Sequence, residues 1–259
     1  MKLSSIIAVR HRATGGFSVE ARNYFNRLDT AGDTTYTIYK QPLANYIDSL
    51  VSLGGSYWDT MESAASFVGV GIQGVTVPLR DGMPSITNNN FVAGDLNQLT
   101  GLKGDASTKY LSTGINAISL SQNDTSISTY VTAPTASFSY MAGAEYTYSP
   151  QLSLVSTGTA TRADVFTGST LTDFGTTLGV GLLGASRSNS ADQDRRSNQT
   201  NYPQTIASVT PQSAALTIFS YSGSYLTAAR LATYHVGTAL NLATLEGLQD
   251  TLILEIAAI

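Results

Sequence analysis

Only two histidines are present, His11 and His235. A Ser-His-Asp relay needs an imidazole beside a nucleophile, and no Gly-x-Ser-x-Gly elbow exists to offer one. His235 falls in an alternating apolar stretch, facing away from Tyr234 and Val236, and reads as a structural residue. Histidine zinc sites fail on the same count. With no cysteine, thiolate metal sites, thiol nucleophiles and disulfides are excluded as well. Glycoside hydrolysis would need two carboxylates a fixed distance apart. The glutamates are Glu20, Glu62, Glu145, Glu246 and Glu255, and only Glu145 lies in strand-rich sequence. Asp81, Asp95, Asp105, Asp124, Asp164 and Asp173 sit singly near turns, where aspartate is favoured anyway. Asp95, Asp105 and Asp124 are Ca²⁺ ligands by type, without EF-hand spacing. Gly69–Gly71–Gly74 and Gly179–Gly181–Gly184 match GxGxxG. A dinucleotide site wants a strand before that motif, a helix after it and an acid about 20 residues on. The first match follows a stretch of helical spacing and the second runs into polar sequence, so both read as turns. Tyr146, Tyr148, Tyr202, Tyr221 and Tyr225 provide aromatic faces of the kind saccharides use. The residues thus assign no catalytic group, no cofactor and no metal.

The elements that would position these residues change character along the chain. Ser18 is placed to cap a helix with Ala21, Phe25 and Leu28 on one face, stopped near Gly32. Pro42 fits the first turn of a second helix whose face is Leu43, Tyr46, Ile47, Leu50 and Leu53, ended by Gly54–Gly55. Trp58, Met61, Ala65 and Val68 predict a third, ending at Gly69. From about residue 72 the period shifts from 3.6 to 2. Strands are expected at Lys109–Leu111, Ile127–Val131, Phe138–Ala142, Tyr146–Val155, Thr177–Leu183, Thr205–Val209, Leu216–Tyr221 and Leu231–Val236. Many short strands parted by turn residues mean a β-sandwich or jelly roll. A closing helix begins near Asn241, with Leu245, Leu248, Leu252 and Ile256 in step. The expected organisation is an arm over 1–17, a small helical region over 18–71, a sandwich over 72–239 and a C-terminal helix over 240–259, packed on the sandwich or on a neighbour.

Charged residues are only 12% of the chain, while glycine (23) and tyrosine (14) are plentiful. Such a composition suits hydroxyl-rich strands and burial against other subunits. A net charge of −4 argues against nucleic acid, which is bound by neutralising phosphates. No run approaches the ~20 apolar residues of a membrane span. Ile6–Val9 is shorter than the ~7 residues of a signal-peptide core and runs into Arg10–His11–Arg12, so no signal peptide is expected.

Residues 45–70, NYIDSLVSLGGSYWDTMESAASFVGV, resemble a segment that recurs ahead of the lectin-like domain in tailed-bacteriophage proteins. Leu50, Leu53, Gly54, Trp58, Met61, Phe67, Val68 and Gly69 fit its pattern, with Ala65–Ser66 where Tyr-Pro is usual. Residues 101–116, GLKGDASTKYLSTGIN, resemble the opening strands of laminin-G-like, concanavalin A-like domains. SISTYVTAP (126–134) follows where those domains place their next strand, and residues 229–252 resemble their closing strand and helix. The resemblance implies a mainly β jelly-roll sandwich, with a small N-terminal helical region and a C-terminal helix, in a virion protein.

The function expected from this reading is a non-enzymatic structural protein on the exterior of a tailed-phage virion, as capsid decoration or as a tail, baseplate or fibre subunit. Its partners would be other virion proteins and copies of itself, with a trimer favoured. The alternatives are a host-adsorption module binding surface glycan and, behind that, a polysaccharide depolymerase. Ile6, Ile7, Val9, Arg10, Arg12, Leu252 and Ile256 are the expected assembly interface. The polar stretch 186–202, either a β-hairpin tip or a protruding loop, is expected to be the most exposed part, cleaved first after Arg187, Arg195 or Arg196. It offers only Tyr202 as an aromatic face, so saccharide binding is expected to be weak or absent.

Overall fold

The computed structural model describes residues 16–53, 57–146, 149–168 and 173–259. Helix α1 (Val19–Thr30) starts where expected, because the Ser18 side chain accepts the Ala21 amide at 3.1 Å. It stops in a Schellman turn. Gly32 takes φ +77°, its amide reaches Asp29 O, and the Asp33 amide reaches Leu28 O. Helix α2 (Lys40–Ser52) carries Pro42 in its first turn and buries Leu43, Tyr46, Ile47 and Leu50. Helix α3 (Leu242–Ala257) is capped by Asn241, which accepts the Thr244 amide at 3.0 Å.

Two antiparallel sheets form the body. The larger runs, in spatial order, β12 (Thr200–Asn201), β11 (Asp192–Ser197), β10 (Gly181–Arg187), β6 (Thr125–Ala133), β15 (Arg230–Gly237), β4 (Gly101–Lys103) and β3 (Leu96–Asn97). Beside these, β1 (Met61–Ser66) pairs with β15 and β13 (Gln204–Thr205) pairs with β11. The smaller sheet runs β2 (Thr87–Asn89), β5 (Tyr110–Asn116), β14 (Ala215–Ile218), β7 (Phe138–Tyr146), β8 (Ser149–Thr157) and β9 (Thr161–Val165). Between the sheets lies the main core, with Leu111, Met141, Leu154, Ile127, Val131 and Phe219 among its buried side chains.

Helices α2 and α3 form a third layer on the back of the larger sheet, with α1 packed against α2. Polar contacts fix them there: Tyr46 of α2 to His235, Gln249 of α3 to Thr233, Asp250 to Tyr130 and Glu246 to the Leu182 amide. Strand β6 consequently has seven consecutive buried residues, Thr125–Val131. Strand β5 in the smaller sheet alternates, burying Leu111, Thr113 and Ile115 and exposing Gly114 and Asn116.

Several expectations need correction. The third helix is instead strand β1, antiparallel to β15 with Ala65 opposite Tyr234. Its residues are buried on both faces except Glu62, so no alternation marks it, and small Ser and Ala side chains let it fit between layers. Residues 18–71 are therefore not a purely helical unit. Phe17, expected in a detached arm, is partly buried and meets the Phe25 ring edge-on at 5.1 Å. The strand expected at Thr177–Leu183 lies at Gly181–Arg187, and Thr205–Val209 is strand only at its start. Of the two readings of residues 186–202, the hairpin holds: β11 runs antiparallel to β10, with Ser186 opposite Asp194.

Candidate functional site

His235 is completely buried between sheet and helices. The Tyr46 hydroxyl lies 2.6 Å from Nε2 and the Tyr57 hydroxyl 3.4 Å from Nδ1. Burial pulls its pKa down to about 3, so the imidazole is neutral, and both described ring contacts are phenols rather than a nucleophile and an acid. This is a tie between layers.

The candidate calcium aspartates are each committed elsewhere. Asp95 binds the Lys109 ammonium at 2.6 Å and the Val92 amide at 2.8 Å. Asp105 is partly desolvated, yet hydrogen bonds from Thr108, Ser107 and Lys109 hold its carboxyl well below the usual range. Asp124 accepts the Ala239 amide at 2.8 Å. Among the described residues no three acidic, histidine or cysteine side chains converge on one point.

Both GxGxxG matches are close packing against a buried carboxylate. The first follows strand β1 rather than a helix, and opens only a three-residue 3-10 turn. Its Gly71 amide donates to Asp33 Oδ2 at 2.6 Å. A Cβ on Gly74 would fall 2.2 Å from the same oxygen. The second surrounds Glu246, whose Oε1 would lie 2.8 Å from a Cβ on Gly181 and accepts the Leu182 amide. No phosphate cradle is left in either.

The arginines expected on an exposed loop are sealed. Arg187 is fully buried and donates to the carbonyls of Val165, Ile206 and Asp192. The Arg195 guanidinium sits 4.7 Å over the Phe174 ring, which also stacks on Tyr202 at 4.7 Å. Arg196 pairs with buried Glu246. Tryptic cleavage there is accordingly not the first event to expect. Asp164, beyond these arginines on β9, is buried, which raises its pKa to about 6; Gln193 offsets part of the rise with a hydrogen bond.

What the structure brings together is aromatic. Phe138 and Tyr140 alternate with Ser139 on β7 and point away from the main core. Tyr140 forms a cluster of its own with Val155 and Tyr221. The Tyr140 and Tyr221 rings stack at 4.3 Å and 14°. Tyr221 lies flat on Gly143, where any Cβ would come within 2.4 Å of its Cδ2. Tyr225 approaches Tyr140 at 5.9 Å and Phe138 edge-on at 5.8 Å. Phe138 and Tyr225 are 50% and 57% exposed, which is far more than burial of apolar area would favour.

The segment carrying two of these rings is held in a costly shape. Phe219, Ser222 and Tyr225 take φ of +69°, +48° and +48°. Such conformations cost a non-glycine residue about 1 kcal/mol or more each and persist where surroundings impose them. Here Tyr140 N donates to Tyr225 O, Phe219 N to Met141 O, and Tyr221 and Ser224 exchange backbone bonds at 2.8 Å.

Of the tyrosines singled out in the sequence, Tyr221 and Tyr225 join this platform, whereas Tyr202 is half-buried against Phe174. Tyr148 and the Tyr146 side chain lie outside the described residues, as do Ile6, Ile7, Val9, Arg10 and Arg12. Leu252 and Ile256 are 1% and 0% exposed within the chain's own core, so they cannot serve an assembly interface. Phe138 and Tyr140 were not singled out in the sequence as part of this cluster, although their alternation with Ser139 was the available signal.

No family model and no curated protein matches the sequence. Solved structures do. A mutant of HCR/D superposes with TM-score 0.52 and 8% identity over 79% of this chain and 54% of that one. A structure of botulinum neurotoxin type C, whose cell entry is described as dependent on interaction with two ganglioside molecules, gives TM-score 0.54 and 8% identity over 75% and 51%. Domain 4 of AbnA, an extracellular arabinanase of Geobacillus stearothermophilus in complex with arabinotriose, gives 0.43 and 12% over 73% and 98%. The chain spans about half the length of the first two structures. At such identities the likeness is one of architecture, and the architecture is that of a lectin-like jelly-roll β-sandwich with small N-terminal helices and a C-terminal helix.

Proposed function

We propose that this chain is a non-enzymatic recognition protein that contacts glycan through the platform of Phe138, Tyr140, Tyr221 and Tyr225. The observation that carries the reading is two rings more than half exposed, or nearly so, braced by a buried stack and held by a backbone in an unfavourable conformation. Rigid aromatic faces give sugar C–H groups a large contact area at little cost in side-chain entropy. This revises the expectation of weak or absent binding, which considered residues 186–202 alone. The neurotoxin structure that shares the fold is described as engaging gangliosides, so the architecture is compatible with such a role. The absence of turnover is part of the proposal. On this face Asp164 is fully buried and Asp173 is paired with Arg162, which leaves neither as a ready acid or nucleophile.

The setting follows from the sequence resemblance at residues 45–70 and 101–116: the exterior of a tailed-phage particle, where glycan contact serves adsorption to a host. A glycan array probed with the full chain tests the binding. Retention that Tyr225→Ala and Phe138→Ala both abolish is the expected result, with the bound oligosaccharide recovered uncleaved. Binding that ignores both substitutions overturns the reading. Antibody labelling of intact particles tests the setting.

A further inference from the structure

Resting on that reading, the same sheet face fixes the class of glycan. Strand register places Tyr140 opposite Val155, and Val155 opposite Arg162. The Tyr140–Tyr221 stack and Arg162 therefore share one transverse row, two strand spacings or about 10 Å apart. Val155, between them, has no exposed area and packs with Tyr140 and Tyr221, so a ligand would bridge over it from the exposed rings to the ion pair. Arg162 bonds Asp173, and the two side chains remain 25% and 44% exposed. An exposed ion pair of this kind adds little to stability. Its position at the end of an aromatic row is what gives it another use.

We infer that the Arg162–Asp173 pair is the polar end of an extended subsite, so that the ligand is a neutral oligosaccharide of at least two sugar residues lying across β7, β8 and β9. One sugar stacks on the aromatic platform. The next reaches the ion pair, where the guanidinium donates to one hydroxyl and the carboxylate accepts from its neighbour. The opposite charges cancel, which matches uncharged hydroxyls. A sialic or uronic carboxylate would have to compete with Asp173 for the guanidinium, which a pair of hydroxyls need not do. Specificity would thus come from the pair and basal affinity from the rings.

The test uses the full chain on neutral hexose oligosaccharides of one to four residues and on their sialylated counterparts. Neutral chains of two or more residues should bind more tightly than the monosaccharide and than sialylated chains. Arg162→Ala should cut the affinity for those longer chains about tenfold, the loss expected of a charge-assisted hydrogen bond, and so narrow their advantage over the monosaccharide. Asp173→Asn, which keeps Arg162 and the local fold, should narrow the discrimination against sialylated chains. Platform-dependent binding that prefers sialylated chains, or that shows no length dependence, or that survives Arg162→Ala overturns the subsite and spares the proposed function. Loss of all glycan binding, or binding indifferent to Tyr225→Ala, removes both.

Discussion

The two sheets of this sandwich solve the same problem on opposite terms. The larger turns its back to helices α2 and α3, and the groups along that junction are tied in pairs: Tyr46 with His235, Gln249 with Thr233, Glu246 with Arg196. The smaller has no described helix over its back, and in β5 the side chains there reach solvent. Where the covered face uses a helix to bury apolar area, part of the uncovered one uses its own rings, Tyr221 laid on Gly143 and stacked on Tyr140. A face finished in that way is partly satisfied by itself and still offers apolar surface to a visitor.

If the contrast is real, truncating an aromatic should cost far more in the core than on the platform. Phe67 is fully buried, 5.8 Å from the Tyr234 ring and 5.9 Å from that of Phe219. Phe67→Ala should lower unfolding free energy by about 3–5 kcal/mol, read from the urea midpoint. A loss below about 1 kcal/mol would mean that the core is loosely packed and the contrast with the platform false.

The edge where the sheets meet should show the next largest effect, through pH. Asp164 is fully buried, and its carboxyl is raised by burial from 3.8 to about 6. A raised carboxyl favours the fold while protonated. Its contribution is complete below pH 3.8 and is lost as pH climbs through about 6. The span corresponds to about 3 kcal/mol as an order of magnitude. Asp164→Asn should flatten the stability profile between pH 4 and 6 and leave the variant more stable at pH 7. A parallel profile in both proteins would show that Arg195 and Arg162 already compensate the charge.

How much of this was legible in sequence depended on whether a residue's neighbours lie nearby in the chain. Ser18, Gly32, Pro42 and Asn241 act within a turn of themselves, and the three helices were read almost as they are. Strands β6, β7, β14 and β15 are marked by β-branched and aromatic residues and were found, although β6 and β15 are buried on both faces as well. Strand β1 was not, since Met-Glu-Ser-Ala-Ala-Ser holds none of those residues and its Met61 and Ala65 fall at helical spacing. Strand β11, Asp-Gln-Asp-Arg-Arg-Ser, was expected to be solvated, as a hairpin tip or a loop, because its arginines look exposed until Phe174 and Glu246 arrive from elsewhere. The platform is harder still. Phe138 and Tyr140 are about eighty residues from Tyr221 and Tyr225, and alternation says that two rings share a face without saying that the face is open.

A smaller perturbation targets the seat of the platform. Gly143→Ala would press a Cβ into the Tyr221 ring, with Leu152 O 3.2 Å away on another side. The ring must lift, breaking the stack with Tyr140. Overpacking of this sort costs about 1–3 kcal/mol in a core, and a ring near solvent can yield more cheaply, so a loss of about 1 kcal/mol is expected in the urea midpoint. Glycan retention should fall with it. Retention that persists would show that Phe138 and Tyr225 suffice without the stack beneath them.

The smallest expected effect on stability is the most telling about the open face. Tyr225 is 57% exposed and sits at φ +48°. Alanine has a Cβ like tyrosine and bears the same backbone penalty, so Tyr225→Ala isolates the ring. Its contacts are glancing, at 5.9 Å to Tyr140 and 5.8 Å to Phe138, and its removal should shift stability by no more than about 0.5 kcal/mol. Thermal unfolding of wild type and variant should then coincide while glycan binding separates them. Were Tyr225→Ala to cost 2 kcal/mol or more, the ring would be a lid on the smaller sheet, doing for it what α2 and α3 do for the larger, and its exposure would no longer argue for a ligand.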